Sequence, residues 1–134
     1  MYLLDTNVIS ELRRVRPHGA VVAWLRATAD AQLHLSAVTI GEIQRGIEIT
    51  RANDPRRAGE LEGWLAEVEQ TWNVLPMSGD CFRTWARLTH RRSPVLAQDA
   101  MIAATALVHG LRVVTRNIRD FEAFGVELVD PFAA

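Results

Sequence analysis

Four carboxylates draw notice through what precedes each of them. Asp5 follows the apolar run Met1-Tyr2-Leu3-Leu4, and Asp120 lies shortly after the strand-like Arg112–Thr115. Glu42 and Asp99 stand near the starts of two stretches with helical character, the second of them otherwise apolar. In a parallel α/β sheet, the carboxyl ends of strands and the amino ends of the following helices share one edge, which is where ligands sit. All four acids can therefore converge. Carboxylates held that close repel one another and take up protons unless a cation neutralises them. An all-oxygen set without His or Cys suits Mg²⁺ or Mn²⁺ better than zinc. Such an ion lowers the pKa of an attacking water and steadies the charge on a phosphodiester.

Each acid also has a plainer use. Asp5, Thr6 and Asn7 are all residues that cap helices, which is compatible with a site at Asp5. Thr39 followed three residues later by Glu42 reads as a capping box opening a helix. Ile40, Ile43 and Ile47 share one helical face, with Glu42 off its centre and in line with Gly46, where the missing side chain leaves room. Asp99 near a helix start is favourable by roughly 0.3 to 1 kcal/mol through the helix dipole alone.

The elements that must position these groups are legible in order. An apolar first strand ends at Asp5, and short helices over Val8–Arg14 and Ala20–Ala29 are separated near Pro17. The alternating Leu33–Ser36 is a half-buried strand, and a helix opens around Thr39. After the polar hinge Thr50–Pro55, a helix to about Trp72 carries Ala58, Leu61, Leu65, Val68 and Trp72 as a narrow apolar seam. That seam suits a helical hairpin, with a dimer surface as the alternative. A strand over Asn73–Pro76 precedes a helix from Gly79 to Arg92, on which Arg83, Arg87 and Arg91 form a basic stripe opposite Phe82, Trp85 and Leu88. The stripe is either a solvated face or a track for RNA phosphates.

The segment from Ser93 to Phe121 is one unit. Pro94 fits the entry to a helix that is apolar on nearly every side and so expected to be buried on most faces, and Gly110 stops it. The β-branched pair Val113 and Val114 begins a strand at once, and Val126–Val129 forms a last one. This order predicts an α/β fold with a short, mainly parallel sheet, in one domain over residues 1–134.

Composition narrows the function. Apolar residues are 49% and charged residues 23%, with no apolar run of membrane-spanning length and no signal peptide before the first strand, so a cytoplasmic protein is expected. The single cysteine, Cys81, and the four histidines show no zinc-ligand spacing. A net charge of −1 means that any binding of nucleic acid rests on a local patch. All 15 basic residues are arginine, which excludes a P-loop because that motif needs its lysine.

LLDTNVISEL at Leu3–Leu12, SAVTIGEIQRGI at Ser36–Ile47, QDAMIAATALVHGL at Gln98–Leu111 and VVTRNIRDFEAFGVELVDPF at Val113–Phe132 together resemble the PIN-domain proteins, and more narrowly the VapC toxins of bacterial type II toxin-antitoxin systems. The region from about Thr50 to Ser93 is only generically similar. The resemblance implies a three-layer α/β/α ribonuclease dependent on Mg²⁺ or Mn²⁺. It makes Asp5, Glu42 and Asp99 site residues and has Asp120 supply the fourth carboxylate, because Asn117 stands where many relatives carry an acid. Thr6, Thr115 and Asn117 become polar support, and Asp5 and Asp99 the metal ligands. It further implies a homodimer and a VapB-like antitoxin, through which DNA would be bound indirectly.

Two other readings use the same residues. An aspartate after the first strand is also where haloacid-dehalogenase-type phosphatases keep a phosphoryl acceptor, although those resemble D-x-D and Asn7 stands at the third position here. A non-catalytic partner acting only within an antitoxin-DNA complex is the other.

Overall fold

A computed structural model describes residues 1–133. The chain runs β1 (Tyr2–Leu4), α1 (Thr6–Glu11), α2 (Gly19–Ala27), β2 (Leu33–Ser36), α3 (Ala37–Arg51), α4 (Pro55–Thr71), β3 (Asn73–Leu75), α5 (Gly79–Thr89), α6 (Ala97–His109), β4 (Arg112–Val114), α7 (Ile118–Phe121) and β5 (Leu128–Val129), with 3₁₀ turns at Asp30–Gln32, Pro94–Leu96 and Glu122–Phe124. The strands form one sheet in the order β3-β2-β1-β4-β5, and every pairing is parallel.

Alternation along the strands explains the layers, since successive residues face opposite sides of a sheet. Leu4, Leu33, Leu35 and Val114 join Val8, Ile9 and Val21 of α1 and α2 and the inner residues of α3 and α4 in one core. Leu3 and Val113, each one residue earlier, join Ala100, Ile102, Ala103 and Ala106 of α6 with Phe121 and Phe124 on the other side. The architecture is thus three-layered α/β/α.

The seam of α4 packs inward: Ala58, Leu61, Leu65 and Val68 are buried in the first core against α3, so it serves a helical hairpin and not a dimer surface. Several boundaries differ from the sequence reading. The first helix begins at Thr6, because the Asp5 side chain accepts the Thr6 amide, and it ends at Glu11. The helix α5 stops at Thr89. Pro94 opens a 3₁₀ turn that leads into α6. Gly110 ends that helix in the left-handed conformation, φ 67°. Its outer face is less covered than its composition suggests, with Leu107 and Val108 exposed.

Candidate active site

The strand order reverses direction at β1, whose neighbours β2 and β4 lead to opposite ends of the sheet. A crevice outside the carboxyl ends of the strands is expected at such a point. Asp5 stands there, buried and capping α1, with its amide donating to the carbonyl of Val114 at 2.9 Å. Its Oδ1 accepts from the Thr6 amide at 2.8 Å, and its Oδ2 from Thr115 Oγ1 at 2.7 Å and Asn7 Nδ2 at 3.1 Å. A carboxylate offers about four lone-pair sites, so one remains for an external ligand. Thr115, fully buried just after β4, also accepts from the Asn117 amide at 2.9 Å. Asn117 supports the site through its backbone, and its side chain caps nothing.

Glu42 reaches the same edge from the second turn of α3. The expected capping box is not formed, because Ser36 takes the N-cap, its side chain accepting from the Val38 amide at 3.1 Å. Freed from capping, the Glu42 carboxylate accepts from Thr6 Oγ1 at 3.0 Å. Thr39, buried one turn before, has its hydroxyl 3.2 Å from that of Thr6. Because Thr6 has one hydroxyl proton, a consistent chain runs from Thr39 to Thr6 to Glu42. A side chain built at Gly46 would meet no neighbour within 4 Å, in keeping with the space expected beside the carboxylate. Asp99 lies in the first turn of α6, and Asp120 lies inside the short α7, a helix not anticipated from the sequence.

Electrostatics link all four. Burial, and then the charges of Asp5, Asp120 and Glu42, push the Asp99 carboxyl up to about 6. Burial raises Asp5 as well, opposed by the bonds from Thr115, Thr6 and Asn7 and reinforced by Asp120. Glu42 is raised by burial and by Asp5, against the Thr6 hydrogen bond. Among the described residues no three acidic, His or Cys side chains close into a ready-made ligand cage. The charges of Asp5, Asp120 and Glu42 all act on Asp99, so the carboxyls oppose one another's ionisation without forming a cage.

A family model described as PIN domain matches residues 2–126. This chain is a PIN-domain protein. It stands on the VapC side of that family: the VapC ribonuclease Y4jK of Sinorhizobium fredii is 37% identical over 98% of both chains, and toxin FitB of Neisseria gonorrhoeae is 34% identical over 98% of this chain and 99% of its own. The crystal structure of FitAcB from Neisseria gonorrhoeae superposes with a TM-score of 0.89 at 32% identity, covering 100% of each chain.

On this PIN domain Arg83 and Arg87 are exposed on α5 but Arg91 lies in the turn beyond its end at Thr89, so the expected helical stripe holds for two of its three members, with Phe82 also exposed while Trp85 and Leu88 pack inward. The helices α5 and α6 run antiparallel, since Trp85 Nε1 donates to Ala97 O at 3.2 Å and Thr105 Oγ1 lies 3.3 Å from Met77 Sδ. The end of α5 therefore lies toward the edge that carries Asp99. Two contributors escaped the sequence reading as site residues, Asn7 and Thr39. The run Asp-Thr-Asn could have flagged Asn7, whose amide Nδ2 reaches Asp5 while its Oδ1 accepts from the Arg116 amide at 3.3 Å. For Thr39 the helical phase shared with Ile43 was the available signal, and it reads as ordinary core.

Proposed function

We propose that this PIN domain is the toxin of a VapBC-like type II toxin-antitoxin pair, a cytoplasmic endoribonuclease that hydrolyses RNA phosphodiester bonds with Mg²⁺ or Mn²⁺ and is neutralised by a cognate antitoxin. The observation that carries the reading is the placing of two hydrogen-bonded acids at the strand switch, Asp5 held by Thr115 and Glu42 held by Thr6, with Asp99 raised by the charges of Asp5, Asp120 and Glu42. The donor set suits the ion: it is all oxygen, partly dehydrated and repulsive without a counter-charge, and Asp5 retains a lone-pair site. A cation held by Asp5 and Asp99 would acidify a bound water and offset charge on the phosphodiester. The bonds from Thr6, Asn7 and Thr115 counter the burial that raises Asp5 and fix its orientation. Glu42, aimed by Thr6, and Asp120 orient the attacking water and take its proton, with no covalent enzyme intermediate. The named relatives, a ribonuclease and a toxin, support the class of activity. The structure of FitAB bound to a DNA fragment, 31% identical over 100% of this chain, supports an antitoxin partner through which DNA is bound, and a homodimer is the further part of this proposal. A length close to that of these relatives supports reading residues 1–134 as a single domain.

Purified, antitoxin-free protein tests this on a panel of structured and unstructured RNAs with Mg²⁺, Mn²⁺ or EDTA. Cleavage should require the metal and fall by roughly a hundred-fold or more in Asp5→Asn and Asp99→Asn, both still folded by circular dichroism. Near-normal cutting by a folded Asp99→Asn protein would remove Asp99 from the site. Phosphate release from small phosphoesters would favour the phosphatase chemistry instead.

A further inference from the structure

Of the fifteen arginines, five are held in ion pairs and, among the described residues, ten are not, and three of those ten gather around one hollow. Arg14, Arg51, Arg56, Arg57 and Arg112 are each paired with a glutamate. Arg87, Arg91 and Arg92, at the end of α5 and in the turn after it, make no ion pair among the described residues, although they stand close together. With Leu88 and His90 they line an open hollow of about 410 Å³ that no carboxylate enters. A larger hollow of about 490 Å³ at the opposite edge of the sheet behaves differently, because its arginine, Arg112, is held by Glu127 at 2.8 Å.

The basic hollow is partly preorganised. Arg92 donates from Nε to Leu88 O at 2.8 Å and from Nη2 to Ala123 O at 3.1 Å, and its guanidinium lies over the Phe124 ring. Those contacts tie the turn to the segment just after Asp120, while α6, which carries Asp99, begins a few residues further on. The positive hollow thus flanks the edge that bears two of the four acids. Guanidinium groups bind phosphate oxygens in a bidentate fork, and three around one hollow match a single phosphate.

We propose that this hollow holds a backbone phosphate of the RNA at a position that is not cut, and so fixes where along the strand the carboxylates act. The inference rests on the nuclease reading and specifies how its substrate is seated. Recognition is of backbone and spacing, without reading of bases at this point.

The test is fluorescence anisotropy of a short labelled oligouridylate with Asp99→Asn protein, so that binding is measured without turnover. Adding Arg87→Gln and Arg91→Gln should weaken binding by roughly ten-fold or more, and lower the slope of log affinity against log salt by about 0.7, the value for one phosphate contact on a single strand. Arg56→Gln with Arg57→Gln, on the paired face of α4, should change neither. In protein with Asp99 intact, the Arg87/Arg91 changes should raise KM and spare kcat. Unaltered affinity and slope, or no binding of RNA before the arginines are changed, would overturn the proposal. So would loss of binding to a polyglutamate peptide with RNA binding unaltered, which would give the hollow to an acidic protein partner. RNA bound through these arginines but never cut would instead overturn the nuclease reading, leaving only the phosphate contact and removing its role in placing a cut.

Discussion

Thr39 shows how much of the site depends on a hydroxyl that touches no external ligand. It is fully buried, and its oxygen lies 3.2 Å from that of Thr6. Donating to Thr6, it leaves the Thr6 proton for Glu42, whose carboxylate is thereby aimed. Thr39→Val keeps the shape and removes the donor, leaving Thr6 free to rotate. We expect kcat for RNA cleavage to fall by roughly ten-fold, matching the ~1 to 1.5 kcal/mol of one hydrogen bond, with KM unaltered and Thr39→Ser restoring the rate. If Thr39 only fills space, valine will be as active as threonine, and steady-state kinetics on the two variants decides between these.

The elements were largely legible because each strand and helix carries its own pattern. The adjacent pairs Leu3/Leu4 and Val113/Val114 gave short strands covered on both faces, and Gly110 gave a helix end that the left-handed backbone bears out. The capping box read at Thr39 and Glu42 is absent for a physical reason. Thr39 and Glu42 have capping-box spacing, but Ser36 competes for the same end, and the turn it starts buries Thr39 within the helix. The short α7 went unseen because its four residues carry too little periodicity to register. For the seam of α4, spacing left the partner open and packing against α3 supplied it. Leu65, almost fully buried in that seam, should cost about 2 to 5 kcal/mol when replaced by alanine, as a chemical-denaturation midpoint shift at unaltered m-value would show. A loss well under that range would mean that the hairpin collapses around the cavity or that the seam is not core.

At the scale of the molecule, a cluster of acids sets stability against function. A carboxyl whose folded pKa lies above its unfolded value binds protons more tightly when folded, so its contribution to stability falls as pH rises through the interval between the two. For Asp99 that interval runs from 3.8 to about 6, and the raised Asp5 and Glu42 act in the same direction. The metal-free protein should therefore be penalised by its own site near neutrality. Thermal melts in EDTA should show Asp99→Asn a few degrees more stable than the parent at about pH 7. Mg²⁺ or Mn²⁺ should raise the parent's Tm more at about pH 8 than at about pH 5, where Asp99 holds its proton, and raise the variant's less. Equal metal increments at both pH values would show that these acids do not share a cation.

The bond from Thr115 to Asp5 joins positions 110 residues apart. Asn7 reaches the same Oδ2 from two residues away at 3.1 Å, but the shorter bond forms only once β4 has paired with β1. Closing the centre of the sheet and clamping this carboxylate are therefore a single event, so a chain folded only over its first two layers would leave Asp5 without its shortest hydrogen bond.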